Sequence, residues 1–241
     1  ALRILEYLRD GVPQAFEWVH KRKDGTLVPV LVTISRLFDQ KGKLLGSFAF
    51  IKDISEQKKH ERMLVEQNAW IMKLIGIYSS VSAQLLNTSS VKEMYRLVTD
   101  AALAIVGQSA IELFASGSRG FRSVYSRGVM ERKRGFFIRE ERCPLLNKIV
   151  SNPLPFFVSN AKRDLDSRDM KFFPQLNKSV SGIFVPVNIG GEVRGFMVIA
   201  LEEVLEYIDE IVLTLLSGMA NLASLSIEKI ISQREQASMK Q

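Results

Sequence analysis

The sequence predicts an α+β fold in which antiparallel sheets are joined by one long helix. The stretch from Leu27 to Arg36 alternates side chains as a strand does, between two turn signals. Residues 56–86 instead repeat apolar side chains at steps of three and four, which is typical of a helix. Helical and strand-like segments then follow each other to the end of the chain. We therefore expect three parts, which are residues 1–55, a helical linker over 56–87, and a second domain over 88–235.

Composition indicates an ordinary globular protein. Of the 241 residues, 46% are hydrophobic and 24% are charged, which argues against disorder. We find no apolar run near the roughly 20 residues that a bilayer requires, and no signal-peptide pattern at Ala1. Cys143 is the single cysteine, which excludes a disulfide framework, and the two histidines lie far from it. We expect a cytoplasmic chain without a membrane segment.

The net charge of +7 is concentrated in one segment. Residues 119–148 contain nine Lys or Arg against three Glu. Such a patch can meet nucleic acid or an acidic partner. Since no recognition-helix or zinc-finger pattern accompanies it, we interpret it as a solvated surface and do not expect nucleic-acid binding.

The first block is predicted to be a short helix and an antiparallel meander. The helix carries Ile4, Leu5 and Leu8 and stops before Pro13, which cannot continue it. Turn signals at 23–25 and 39–42 separate three strands. So small a sheet should leave apolar side chains uncovered, and we name Val30 and Phe50 as expected exposed residues. The predicted strands are residues 16–22, 27–36 and 44–52.

The linker helix carries a seam typical of a short coiled coil. Its apolar residues recur at heptad spacing with one polar break at Gln67. The C-terminal helix, predicted over 204–233, has a similar line that includes Leu205 and Ile208. We therefore expect a parallel homodimer held by both helices. The predicted dimer seam is Met63, Trp70, Leu74, Ile77, Val81, Val212, Leu215, Met219 and Leu222.

The second domain is predicted to begin with a capped helix. Ser90 and Glu93 have the spacing of a capping box, in which each side chain bonds the other residue's amide. Proline at the first turn starts a later helix at Pro144. The remaining predicted elements are helices over 91–105, 144–151 and 169–176, and strands over 109–115, 121–127, 136–139, 156–159, 181–187 and 192–201.

Motifs in the first block resemble the C-terminal half of a PAS domain. They are Arg22-Lys23-Asp24-Gly25, the later Gly42, and Asp53-Ile54-Ser55, which is similar to the family's Asp-Ile-Thr. The resemblance implies that Asp53, Ile54 and Ser55 couple the last strand to the outgoing helix. About 55 residues are covered, and the elements that wall the family's ligand pocket are absent, so no PAS cofactor is expected.

Residues 88–232 resemble a GAF domain. The motifs are Ser181-Gly182-Ile183-Phe184-Val185-Pro186-Val187, Gly191 and Gly195–Ala200, preceded by Asn152–Val158. A PAS half, a signalling helix and a GAF domain occur in this order in sensor histidine kinases and related signalling proteins. Because the family's aromatics surround a pocket, the resemblance implies possible ligand-binding residues for a small molecule. These are Tyr125, Phe137, Cys143, Phe157, Phe172 and Phe184.

The resemblance does not identify a ligand. The fragments Asn177-Lys178 and 205–210 depart from the cyclic-nucleotide pattern, and one cysteine cannot run a sulfoxide reductase cycle. Neither a histidine-ligated haem nor an attached bilin fits the positions of His20, His60 and Cys143. A haem bound through a Cys143 thiolate at a helix N-terminus remains an alternative to a simple core cysteine.

We find no catalytic constellation in the sequence. His60-Glu61-Arg62 faintly resembles a kinase phosphoacceptor box, but the following motif and a nucleotide-binding segment are missing, so a solvated histidine is preferred. We expect a non-catalytic sensory or regulatory region that relays a signal through dimeric helices to an output domain beyond Gln241. The alternative is a small-molecule or haem/redox receptor that works through the GAF pocket.

Overall fold

The computed structural model describes residues 14–107, 109–128, 136–178 and 181–239. The helix expected around Ile4 lies outside the described residues. The chain divides into two compact units, residues 1–72 and residues 73–241.

The first unit contains a three-stranded antiparallel sheet with the order β1-β2-β3. Trp18 lies opposite Val30 across the first pair, and Val30 lies opposite Asp53 across the second. The predicted meander is therefore confirmed. Its strands are β1 (Gln14–Lys21), β2 (Leu27–Phe38) and β3 (Leu44–Asp53).

One face of this sheet has a small core and the other does not. Val28, Val30 and Val32 are buried and pack with Phe16 and Ile34, as the alternation along β2 requires. The expectation that Val30 is exposed was wrong, because it lies at the centre of this cluster. By contrast, the expected exposure of Phe50 is confirmed at 67%.

The long helix α1 (Ser55–Asn87) begins in the first unit and ends in the second. A six-stranded antiparallel sheet forms the middle of the second unit, with the strand order β6-β5-β4-β9-β8-β7. The strands are β4 (Ser109–Gly117), β5 (Gly120–Arg127), β6 (Phe137–Arg139), β7 (Phe156–Val158), β8 (Ser181–Ile189) and β9 (Glu192–Leu201). The other helices are α2 (Val91–Val106), α3 (Pro144–Ser151), α4 (Ala161–Asp164), α5 (Ser167–Phe172), α6 (Gln175–Lys178) and α7 (Glu210–Ser238), and a single 3₁₀ turn spans Glu140–Arg142.

The two faces of the six-stranded sheet carry separate apolar cores. Ile111 and Leu113 of β4 point to the core shared with α1, α2 and α7, which we call the helix face. Ala110 and Phe114 point to the other core, shared with α3, α5 and α6, which we call the aromatic face. Strand residues alternate between faces, so a strand that is apolar throughout fits a sheet buried on both sides.

Two predicted helices have different limits in the structure. The C-terminal helix begins at Glu210 rather than near 204, because the Asp209 side chain accepts a hydrogen bond from the Ile211 amide and caps it. Leu205 and Ile208 therefore lie outside this helix. The helix predicted over 169–176 is two short helices, since Pro174 has no amide hydrogen to continue the first.

The capping box at α2 is formed in one direction only. The Ser90 hydroxyl accepts a 3.5 Å hydrogen bond from the Glu93 amide. The Ser90 amide, however, donates to Thr88 Oγ1 at 3.4 Å, and the Glu93 carboxylate binds Arg96 at 2.6 Å. The competing arginine one turn later explains why the reciprocal bond is replaced.

In the part of the chain that the structure describes, two helices are long and apolar enough to cross a membrane by length and composition alone: Ser55–Asn87 and Glu210–Gln233. The sequence expectation of no such segment was therefore too strict. Core helices of soluble proteins meet the same criterion, and Leu216 and Met219 of α7 are fully buried in their own domain.

Candidate functional site

The corner between β3 and α1 is held by the carboxylate of Asp53. Its Oδ1 accepts a hydrogen bond from the Ser55 amide at 2.9 Å, and its Oδ2 accepts one from Arg22 at 3.1 Å. These hydrogen bonds, from Ser55 foremost, lower the pKa of Asp53. Between them, Ile54 is buried and its amide donates to Pro29 O at 3.0 Å. The last strand and the first turn of α1 thus share one network, which contains the three residues predicted to couple them.

A second link to this corner was not predicted. Lys58 Nζ on the first turn of α1 lies 2.8 Å from Glu17 Oε1 on β1 and 3.2 Å from Glu61 Oε2. The hydrogen bond to Glu17 is the main reason why the pKa of Lys58 is raised. No sequence spacing signals a pair so far apart along the chain, so only the tertiary structure reveals it.

The predicted pocket residues do not line one cavity. Phe184 is fully buried on the aromatic face, with Phe172 packed at the edge of the same core. Tyr125 and Phe157 pack against the opposite, helix face. The separation follows from alternation along the strands: Phe156 of β7 belongs to the aromatic face, so its neighbour Phe157 points the other way.

Phe137 has a different environment again. It lies on edge strand β6 opposite Arg122, and a methyl group on Gly117 would lie 3.4 Å from its ring. The ring is partly buried over this glycine. Phe137 therefore packs at the edge of the sheet.

Phenylalanine side chains fill the aromatic face. The rings of Phe114 and Phe196 stack at 4.6 Å, and those of Phe156 and Phe184 at 5.0 Å. Phe173 meets Phe114 at 5.9 Å, edge to face, and is fully buried. Sequence reasoning did not name Phe114, Phe173 or Phe196 as site residues, although Phe114 and Phe196 lie in apolar runs. Packing of this kind leaves the face occupied by the protein's own side chains.

The aromatic face also contains the buried carboxylate of Glu112. Glu112 Oε1 lies 2.6 Å from the Ser123 hydroxyl on β5, and Glu112 Oε2 lies 3.1 Å from Gln175 Nε2 on α6. Glu112 and Gln175 are both about 5% exposed. The sequence signal for this group was Glu112, a single acid inside the apolar run Ile111–Phe114. A buried carboxylate is costly unless it is hydrogen-bonded, so such an acid is expected to have polar partners.

Cys143 is a buried, protonated thiol. Its Sγ donates to Asp169 Oδ1 at 3.2 Å, and the Leu145 amide donates to the same oxygen at 3.1 Å. Burial, more than this hydrogen bond, raises the pKa of Cys143 to about 12. The alternative of a Cys143 thiolate, whose pKa the helix N-terminus would lower, is not supported, because desolvation outweighs the dipole. A thiol with no exposed surface is also closed to an external haem.

The helix face has a small cavity between α2, α7 and the sheet. It has a volume of ≈ 40 Å³ and is lined mainly by apolar side chains such as Met94, Val98 and Ile227, with Arg194 as its charged member. This is space for a few water molecules. An organic ligand would need the helices to move.

The residues of the predicted dimer seam fall into three groups by burial. Leu74, Val81, Val212 and Met219 are buried in the helix-face core of their own chain, so these seam assignments were wrong. Ile77, Leu215 and Leu222 are partly buried against the same core. Met63 and Trp70 are exposed at 46% and 38%, and remain available to another chain.

Within the described ranges, no three His, Cys, Asp or Glu residues are grouped so that they could hold a metal ion. His60 is exposed on α1, and Asn177-Lys178 forms the end of α6.

Comparison with known proteins agrees with this architecture. Residues 1–56 match the family model of the PAS domain. No curated protein matches the chain. The GAF domain of a phosphoenolpyruvate-protein phosphotransferase (ptsP) from Coxiella burnetii is similar with a TM-score of 0.58 and 14% identity, covering 68% of this chain and 98% of that one.

Two further solved structures extend the comparison. The GAF domain of a two-component sensor histidine kinase from Bacillus halodurans gives a TM-score of 0.50 and 14% identity, over 61% of this chain and 99% of that chain. The chromophore-binding domain of the bacteriophytochrome RpBphP3 from R. palustris gives 0.59 and 7%, over 97% and 79%. Identities this low establish the fold alone. The chain thus carries a PAS-domain segment in residues 1–56, followed by a domain with the GAF fold.

Proposed function

We propose that this chain is a non-catalytic sensory or regulatory region of a signal-transduction protein. A signal from the PAS segment passes through the Asp53 corner into α1, reaches the GAF domain, and continues to an output domain. The observation that carries the proposal is the corner itself: Asp53 binds both Arg22, in the connection between β1 and β2, and the first turn of α1. A change in the sheet therefore acts directly on the start of the helix.

The helix is long enough for this role. It contains 33 residues, which span about 50 Å at the usual rise per residue. Similar structures come from a sensor histidine kinase and a methyl-accepting chemotaxis protein, both signalling proteins. We propose the corresponding domain limits of 1–55, 56–87 and 88–235, and a cytoplasmic location.

We further propose that the chain acts as a homodimer. Met63 and Trp70 lie seven residues apart on the exposed part of α1, at equivalent heptad positions. An exposed indole in such a stripe is typical of a helix interface. Dimerisation would place two copies of α1 side by side along this half of the helix.

A receptor function of the GAF domain is the competing proposal. Its support is the buried polar group of Glu112, Ser123 and Gln175, which a ligand could rearrange. The filled aromatic face and the protonated Cys143 favour the relay. Thermal-shift screening of nucleotides, haem and small acids separates the two, because a ligand that binds the folded state raises the melting temperature. A stabilising compound would favour the receptor, and a flat response the relay.

Asp53→Ala tests the relay directly. It removes both contacts at the corner, so we expect the full-length protein to lose control of its output while the GAF domain stays folded. Asp39→Ala is the matched control, because Asp39 caps a turn of the same sheet by accepting from the Lys41 and Lys43 amides, without touching α1. Unchanged output control in Asp53→Ala would reject the proposal.

A further inference from the structure

The second half of α1 and the helix α7 run side by side in the same direction. The ring of Tyr78 lies over Gly218, so closely that a methyl group there would be 2.9 Å from the Tyr78 hydroxyl. Further along both helices, Leu85 O meets the hydroxyl of Ser226. Residue numbers increase together on the two helices, and the pair is therefore parallel.

Two side chains of α7 bind the last turn of α1. The buried Ser226 hydroxyl lies 2.8 Å from Leu85 O and 2.9 Å from Leu222 O, and shares its proton between them. Lys229 Nζ donates to Leu86 O at 2.7 Å. We call Ser226 and Lys229 the clamp.

The clamp satisfies groups that a helix end leaves open. The final carbonyls of a helix have no partner within it, and they carry the negative end of the helix dipole. An ammonium group at Leu86 O therefore gains both a charge-assisted hydrogen bond and a favourable dipole interaction. These contacts hold the end of α1 to one position along α7.

The two parallel helices end at different heights along their common direction. α1 ends at Asn87, level with the clamp, whereas α7 continues to Ser238. The part of α7 beyond Lys229 is about 14 Å long. Since the helices are parallel, α7 extends in the direction in which α1 stops.

We propose that Ser226 and Lys229 are positioning residues that pass a displacement of α1 directly to α7, without passage through the six-stranded sheet. This inference rests on the proposed relay, because it names the contact through which the relay leaves α1. The GAF core then fixes the two helices in register, and the intervening residues 88–209 act as their support.

The test measures the two helix ends in the intact 241-residue chain. Ser226→Ala and Lys229→Met remove the two clamp contacts, separately and together. Lys229→Arg keeps the cation, and Lys92→Met makes the same substitution at an exposed lysine of α2 that is not part of the clamp. The readouts are amide hydrogen exchange of residues 82–87 and the distance distribution between spin labels at the exposed positions Ala83 and Gln233.

Each clamp variant should speed amide exchange in residues 82–87 by about fivefold, as the loss of one hydrogen bond predicts. The double variant should exchange faster still and broaden the label distances, while Lys229→Arg and Lys92→Met behave as the wild type. Exchange within about twofold of the wild type in a folded double variant would overturn the clamp. If the double variant unfolds, the exposed Lys229→Met decides alone by the same criterion.

A failure of the proposed relay can be distinguished from a failure of the clamp. If Asp53→Ala leaves output control in the full-length protein intact, the proposed function is wrong. The clamp contacts are still tested in that case, because the amide exchange of residues 82–87 is measured independently of output control. If Asp53→Ala abolishes control and Lys229→Met does not, the relay stands and the clamp is rejected.

Discussion

The two halves of α1 have the same apolar spacing but opposite environments. In the half that belongs to the second unit, Leu74 and Leu85 are 1% and 0% exposed, within the core of the GAF fold. In the first half, residues 61–70 are all exposed, including Met63 and Trp70. The second half is held along its length, and the first half is held at its start by Asp53 and Lys58.

This difference shows what a heptad pattern can establish. Apolar residues at steps of three and four require a partner for one side of the helix. They do not say whether the partner is a second chain or the helix's own domain. In the second half of α1 the partner is the helix's own domain, which is why part of the predicted dimer seam proved to be core.

The largest contrast should come from two adjacent leucines in the second half. Leu85 is fully buried, and Leu86 is 50% exposed. Leu85→Ala should lower the free energy of unfolding by about 3 kcal/mol, because it leaves a cavity in the helix-face core. Leu86→Ala should change it by about 0.5 kcal/mol or less. Urea unfolding followed by circular dichroism measures both.

Cys143 provides an independent readout of the same pair. Its thiol is buried and its raised pKa of about 12 keeps it protonated, so at pH 8 a thiol reagent should react only when the domain opens. Leu85→Ala should speed labelling about a hundredfold, as a 3 kcal/mol loss predicts, and Leu86→Ala about twofold at most. Equal labelling rates in the two variants would mean that the second half of α1 is not part of the core.

Two helical glycines should respond in opposite ways. A methyl group at Gly76 of α1 meets open space, so Gly76→Ala should stabilise the helix by about 1 kcal/mol. At Gly218 of α7 it would clash with the Tyr78 ring, and overpacking should turn the gain into a loss of about 1 kcal/mol. Thermal unfolding compares the variants. If α1 and α7 pack as described, Gly218→Ala becomes harmless in a Tyr78→Ala background.

The smallest effect concerns pH at the anchored start of α1. The pKa of Asp53 is lowered below its ordinary value of 3.8, first by a hydrogen bond from the Ser55 side chain, then by the Ser55 amide, and less by Arg22. Its contribution to stability is therefore complete above the unfolded value and is lost as the pH falls through the lowered pKa. An NMR titration of the Ser55 amide should show this midpoint below 3.8. Ser55→Ala should raise the Asp53 pKa more than Arg22→Gln does. The reverse order would mean that the ion pair with Arg22, and not the hydrogen bonds from Ser55, is the main cause of the lowered pKa.

The sequence predicted most of the secondary structure because its signals are local. Turn glycines, the proline at the start of α3 and the alternation along β2 each act within a few residues. The errors arose where a more distant group decided the outcome. Arg96 displaced half of a capping box, and Asp209 started α7 later than its apolar pattern suggested.

The sites were harder to predict than the fold. The residues Asp53, Ile54 and Ser55 could be singled out because a recognisable motif marks them, whereas the contact of Asp53 with Arg22 appears only in the structure. The bonds of Glu112, the Lys58–Glu17 pair and the clamp join residues far apart in the chain. Their residue types are ordinary, so only tertiary structure distinguishes them from solvated charges.

The central claim, that the exposed half of α1 packs against a second copy, is tested most directly by the mass of the chain in solution. Multi-angle light scattering at tens of micromolar should report a dimer for the wild type. Trp70→Asp should yield a monomer with an intact GAF domain, because it places a charge in the proposed seam. Met72→Asp is the control, since Met72 is 71% exposed and lies outside the seam. A wild-type chain that is already monomeric, or a Trp70→Asp variant that stays dimeric, would contradict the account.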